Sequence, residues 1–155
     1  MRGLTLALSI AGLSLLTLPV VISGPSQAQG PTFKLELCSA FGKPVLLSIL
    51  HRVAPNDQRY MVKGWFMLEK QGQCASGDLP RGIFGTFAFS RASDTDIKTW
   101  GGTGDNLLPI CVNVSKPFER ILTDNYKCQE ENKEFLLPFE GRKVTNEPGV
   151  KIVFR

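Results

Sequence analysis

Apolar and polar residues alternate along several short stretches of the chain, and the period is two. Across Thr32 to Cys38, Phe33, Leu35 and Leu37 alternate with Lys34 and Glu36, the pattern of a strand with one face on a core and one in water. Val45 to His51, VLLSILH, is almost continuously apolar and reads as a second strand. The third, Val62 to Leu68, heads the stretch VKGWFMLEKQGQC around which the chain is organised. A regular alternation there places Trp65, Met67 and Lys63 on one face and Val62, Gly64, Phe66 and Leu68 on the other, as in a strand covered on both sides. These three segments predict an antiparallel meander.

Further along, Ile83 to Ser90 predicts an aromatic-rich fourth strand, with ASGDLPRG before it as a turn-rich connection. Ser93 to Asn106 is polar and Gly-rich and reads as the longest loop, with Trp100 alone in it. Leu107 to Val114, Glu134 to Phe139 and Val150 to Phe154 predict three later strands. Lys116 to Asn125 carries Pro117 at a first helical position and Phe118, Ile121 and Leu122 at helical spacing, which predicts one short helix, with a strand as the alternative. About seven short strands, with 15 Gly and 10 Pro, point to an all-β fold, a compact antiparallel β-sandwich or barrel.

The N-terminus has a different character. Arg2 is followed by an uncharged apolar run from Gly3 to Ile22, and Ser26-Gln27-Ala28 offers a small-residue cleavage site, so residues 1–28 read as a secretory signal peptide and residues 29–155 as a single β-rich domain. A retained membrane anchor is the alternative for the first segment. Loss of Arg2 would leave 17 basic against 14 acidic side chains, a scattered net charge of +3. Nucleic acid would need Lys and Arg clustered in a patch or stripe, and no such cluster is present.

Cys38, Cys74, Cys111 and Cys128 all follow the leader, and four cysteines behind an export signal read as two disulfides. Three connectivities are open. Cys38 with Cys111 and Cys74 with Cys128 is preferred, because it joins strand to strand and turn to late loop. A structural zinc site competes poorly with one His and no C-x-x-C pair.

Together, Cys38, Gly64-Trp65-Phe66 with Leu68, Gly72 and Cys74, Phe87-Ala88-Phe89, Trp100-Gly101-Gly102, Ile110-Cys111-Val112, Phe118 and Cys128 resemble the bacterial family catalogued as domain of unknown function 1036, over about Leu35 to Phe139. The chain departs from that pattern at Ser39, where Asn commonly follows the first Cys, and at Gln129-Glu130-Glu131, which replace an Arg-Gly-Tyr-like run. The resemblance implies an exported bacterial protein and no established activity.

Candidate chemistry is sparse. His51, the single histidine, sits at a strand end with neither a nucleophile nor a partner carboxylate marked by the sequence. Asp94, Asp96 and Asp105 could gather oxygen ligands, but their spacing is not that of a twelve-residue calcium loop. Trp100 reads either as a ligand platform for a sugar or peptide or as a plug folded over the sandwich end. The expectation is an exported protein, periplasmic or extracellular, acting as a non-catalytic binding or envelope-associated module. No cofactor, metal or catalytic residue is assigned. Its expected partner is a protein or glycan of the cell envelope, with membrane contact only through an uncleaved N-terminus. A small secreted hydrolase using His51 or the loop acids, and a purely structural envelope protein, are the alternatives.

Overall fold

The computed structural model describes residues 31–91, 96–123 and 126–155. The expected signal peptide, residues 1–28, and the candidate ligand Asp94 lie outside the described residues.

Among the described residues ten strands form two sheets: β1 (Thr32–Ser39), β2 (Val45–Arg52), β3 (Tyr60–Leu68), β4 (Cys74–Pro80), β5 (Gly82–Arg91), β6 (Ile97–Trp100), β7 (Leu107–Asn113), β8 (Phe118–Leu122), β9 (Glu134–Val144) and β10 (Gly149–Phe154). The small sheet has the order β10-β1-β4, and the large one runs β7-β9-β5-β2-β3-β8 with β6 paired to β5. The result is an all-β sandwich in which the large sheet curls into a half-barrel. Its pairs are antiparallel, and β1 with β10 is the parallel exception.

Each face of the large sheet has its own core. On one side Val45, Leu47, Leu68, Phe84 and Ala88 pack against Phe33, Leu35, Leu37, Leu79, Ile152 and Phe154 of the small sheet. On the concave side, Leu50, Val62, Phe87, Val112 and Phe139 are buried with Trp65, Phe89, Phe118 and Leu122 around them. Burying a side chain such as Phe or Leu contributes roughly 1.5–3 kcal/mol, so both interiors matter to stability.

Several sequence expectations change. The first three strands do not form a meander: β2 and β3 pair, whereas β1 belongs to the other sheet. Phe118–Leu122 is strand β8, hydrogen-bonded to β3, and not a helix; Phe118 and Leu122 turn inward and Ile121 lies exposed between them, a period-two arrangement that the apolar i, i+3, i+4 coincidence concealed. Cys74–Pro80 and Ile97–Trp100, read as connection and loop, are both strands. They are exposed along most of their length and so carry little apolar signal.

The β4 correction decides the disulfides. Cys38 and Cys74 stand directly opposite each other on β1 and β4 and are bonded, and Cys111 is bonded to Cys128. The preferred crossed pairing is therefore replaced, since it required Cys38 of the small sheet to reach Cys111 of the large one.

The regular alternation read in β3 also fails, at one point. Leu47 pairs with Phe66 but Ile49 pairs with Lys63, so Ser48 faces two residues, Gly64 and Trp65, in a β-bulge. The peptide between them is cis. Past the bulge the faces exchange: Val62 and Trp65 both enter the concave core, while Phe66 and Leu68 turn to the inter-sheet side. Met67 is exposed, so β3 is not covered throughout on both sides. The Ser48 hydroxyl donates to the Lys63 carbonyl at 2.7 Å, occupying an acceptor beside the irregular ladder. A Cβ on Gly64 would lie 2.9 Å from Ser48 Oγ and 3.1 Å from Phe118 Cε1. Gly64→Ala is accordingly expected to destabilise by about 1–3 kcal/mol through overpacking, measured as a lower urea midpoint with unchanged m-value. An unchanged midpoint would show that the bulge has room to spare.

Candidate functional site in the mouth of the half-barrel

The curl of the large sheet brings its edge strands toward each other, and the concave core closes one end. The indole of Trp65 on β3 stands edge-on to Phe89 and Phe118, with centroids 5.2 and 6.0 Å away, and its Nε1 donates to the Asn113 carbonyl at the end of β7 at 2.9 Å. The other end stays open. There Leu50, Tyr60, Ile83, Leu108, Ile110, Leu122, Thr123 and Tyr126 line a concavity of about 320 Å³. Its walls are mainly apolar, and two phenols and one hydroxyl give it a few polar groups for orienting a bound molecule, the general composition of a small-molecule site.

One wall is fixed by a charge network. Glu134, at the start of β9, is almost fully buried; it pairs with Arg120 of β8 and accepts from the Tyr126 hydroxyl at 2.6 Å and the Gln129 amide at 3.1 Å. Arg120 also stacks on the Tyr126 ring, 4.6 Å from its centroid. With the Cys111–Cys128 bond, these contacts hold Tyr126 beside the mouth. Sequence reading missed Glu134 and Arg120; an acid at the head of the apolar segment Glu134 to Phe139 was the available signal.

A second cleft, about 210 Å³, opens between the sheets at the free edge of β4, lined by Leu35, Leu37, Leu47, Ile49 and Phe66 with Ala75, Gly77 and Leu79. Ser76 is the one polar side chain in its lining, so it has little to orient a ligand.

The residues singled out by sequence do not meet. Trp100, at the end of β6, folds back: its Nε1 donates to the Arg155 carbonyl at 2.9 Å and its ring packs edge-on against Phe41 and Phe154. It plugs the inter-sheet core, and Lys98 lies over its ring. Asp96 is exposed and pairs with Lys43, while Asp105 sits in a short 3-10 helix, Gly104–Asn106, beside Asn106 and Glu140. Among the described residues neither belongs to a group of three possible metal ligands; Glu36, Cys38 and Cys74 do, but both sulfurs there are in a disulfide. Asn113-Val114-Ser115 is a turn in which Asn113 Oδ1 accepts from the Ser115 amide and hydroxyl.

His51 is half-buried, with Nδ1 2.7 Å from the Arg52 carbonyl, an arrangement in which the ring nitrogen donates. Burial pushes its pKa down, and the backbone hydrogen bond opposes that shift. No nucleophilic side chain is hydrogen-bonded to it among the described residues.

Comparison with known protein families, curated proteins and solved structures finds no match.

The titration of His51 sets a pH dependence. Its folded pKa lies below the ordinary 6.5, so as pH falls the unfolded chain takes up the proton first. Stability is then independent of this group well above 6.5, falls as pH drops through 6.5, and levels off below the folded pKa. A separate acid loss follows lower down. Asp57 is held at about 2 by the Arg59 side chain, and Glu36 is lowered chiefly by its hydrogen bond from Lys151. His51→Gln is expected to remove the decline that sets in as pH falls through 6.5 in urea unfolding and to leave the later loss in the carboxylate range. A decline of the same size in the variant would assign it to another group.

Proposed function

We propose that this is an exported, non-catalytic binding module that takes a small, largely apolar molecule in the open mouth of the half-barrel. The observation that carries this reading is the mouth itself, where side chains from β2, β3, β5, β7 and β8 converge on one concavity with Tyr60, Thr123 and Tyr126 in its wall. A platform on Trp100 loses support because that indole is committed to Arg155, Phe41 and Phe154. The two disulfides suit an oxidising compartment, and no helix among the described residues is long and apolar enough to cross a membrane. Export across a bacterial inner membrane, as the leader and the resemblance to the uncharacterised family imply, agrees with the disulfides. Hydrolysis has less behind it: His51 lies on β2 with its Nδ1 engaged by backbone, and Asp96 is paired with Lys43.

The test is titration with N-phenylnaphthylamine, whose fluorescence rises in apolar surroundings. The protein lacking residues 1–28 is expected to bind it saturably. Leu122→Trp, which fills the mouth, is expected to weaken binding about tenfold, whereas Phe66→Ser in the inter-sheet cleft leaves it unchanged. Loss on Phe66→Ser with retention in Leu122→Trp would move the site to the other cleft. Absence of saturable binding would favour a purely structural role.

A further inference from the structure

Arg52 ends β2 at the rim of the mouth, and its guanidinium is the unusual charge of this molecule. Strand alternation puts it on the same side as Leu50, its cross-strand partner is Tyr60, and both of those residues line the concavity. The group lies 5.9 Å from the centroid of the Tyr60 ring. On its other flank is Gly82, next to the lining residue Ile83. Gly82 has φ +132°, and a Cβ there would come 3.1 Å from Arg52 Cδ and 3.2 Å from Nε. The absent side chain is what gives the guanidinium its place.

Arg52 is half-buried, yet it has no carboxylate partner among the described residues. Arg59, Arg120 and Arg142 are paired with Asp57, Glu134 and Glu140. Of the five donors of Arg52, Nη1 reaches the Pro55 carbonyl at a long 3.4 Å, and Nε is buried without any acceptor. A partly desolvated cation without a counter-charge is costly unless something supplies one. An apolar pocket with such a cation at its lip matches a molecule with an apolar body and an anionic head.

Resting on the binding reading above, we infer that the ligand class is a single-chain amphiphile with a carboxylate head, its chain in the mouth and its head on Arg52. A carboxylate fits the planar fork of one guanidinium through two parallel hydrogen bonds. Neither Arg52 nor any other Lys or Arg is itself in the lining, so the charge stands at the rim and the wall below it is mainly apolar. A concavity of about 320 Å³ has room for one chain of moderate length.

The experiment is displacement of N-phenylnaphthylamine by decanoate and by decanol, which share a chain length and differ in the head, from the protein lacking residues 1–28 and from Arg52→Gln and Arg52→Lys. Decanoate is expected to compete about tenfold more weakly in Arg52→Gln, with Arg52→Lys intermediate and decanol the same in all three. Equal decanoate competition in wild type and Arg52→Gln would overturn the head-group assignment and leave the apolar site standing, as would equal losses for decanol. Probe binding that neither compound displaces would also overturn it. If the probe itself does not bind, the site reading fails and this inference falls with it.

Discussion

The indole of Trp65 is the contact on which the concave half of this fold depends. It spans the curl of the large sheet, with its ring against Phe87, Phe89 and Phe118 and its Nε1 bonded to the backbone of β7. Aromatic pairs of this kind contribute about 0.5–1.5 kcal/mol each beyond their burial, and the ring fills space that no aliphatic side chain would span. A sheet that curls can close into a barrel or stop short of closure. Trp65 holds it closed at one end, and the opposite end stays open where β7 and β8, the two ends of the strand order, share no ladder among the described residues.

That role follows from one local irregularity. In a regular strand Trp65 and Val62 would face opposite ways, and the indole would lie on the side of the small sheet. The extra residue opposite Ser48 reverses the alternation, with Gly64 leaving the space that Ser48 and Phe118 occupy. Sequence, local backbone and packing are linked here through a single glycine. The remaining wall is set by polar chemistry: Glu134 is tolerated in the interior because Arg120, Tyr126 and Gln129 together satisfy it.

The parts of the fold legible in the sequence were those with a strong apolar period. Phe33, Leu35 and Leu37, the Phe84 to Phe89 cluster and the Val150 to Phe154 tail gave their strands nearly to the residue. Strands that bury little were not legible: β4 is Cys-Ala-Ser-Gly-Asp-Leu-Pro and exposed through Asp78, so nothing in its composition separates it from a turn. The disulfide pairing failed for the same reason, since Cys74 could be placed opposite Cys38 only once β4 was known to be a strand. The site was hidden more deeply. Leu50, Tyr60, Leu108 and Leu122 come from four strands, and their convergence depends on sheet order and curl, which no local pattern encodes. Arg52 lies just past the predicted second strand, Val45 to His51, with nothing local to set it apart from other charges, and its lack of a counter-charge appears only when its neighbours are in place.

The account therefore stands on where an apolar ligand sits. The most direct measurement is a set of intermolecular nuclear Overhauser contacts between bound decanoate and assigned methyl groups of the isotope-labelled protein. Contacts from the chain to Leu50, Leu108, Ile110 and Leu122 are the predicted result. Contacts to Leu35, Leu37, Leu47 and Ile49 instead would place the ligand between the sheets and contradict the half-barrel mouth as the functional site.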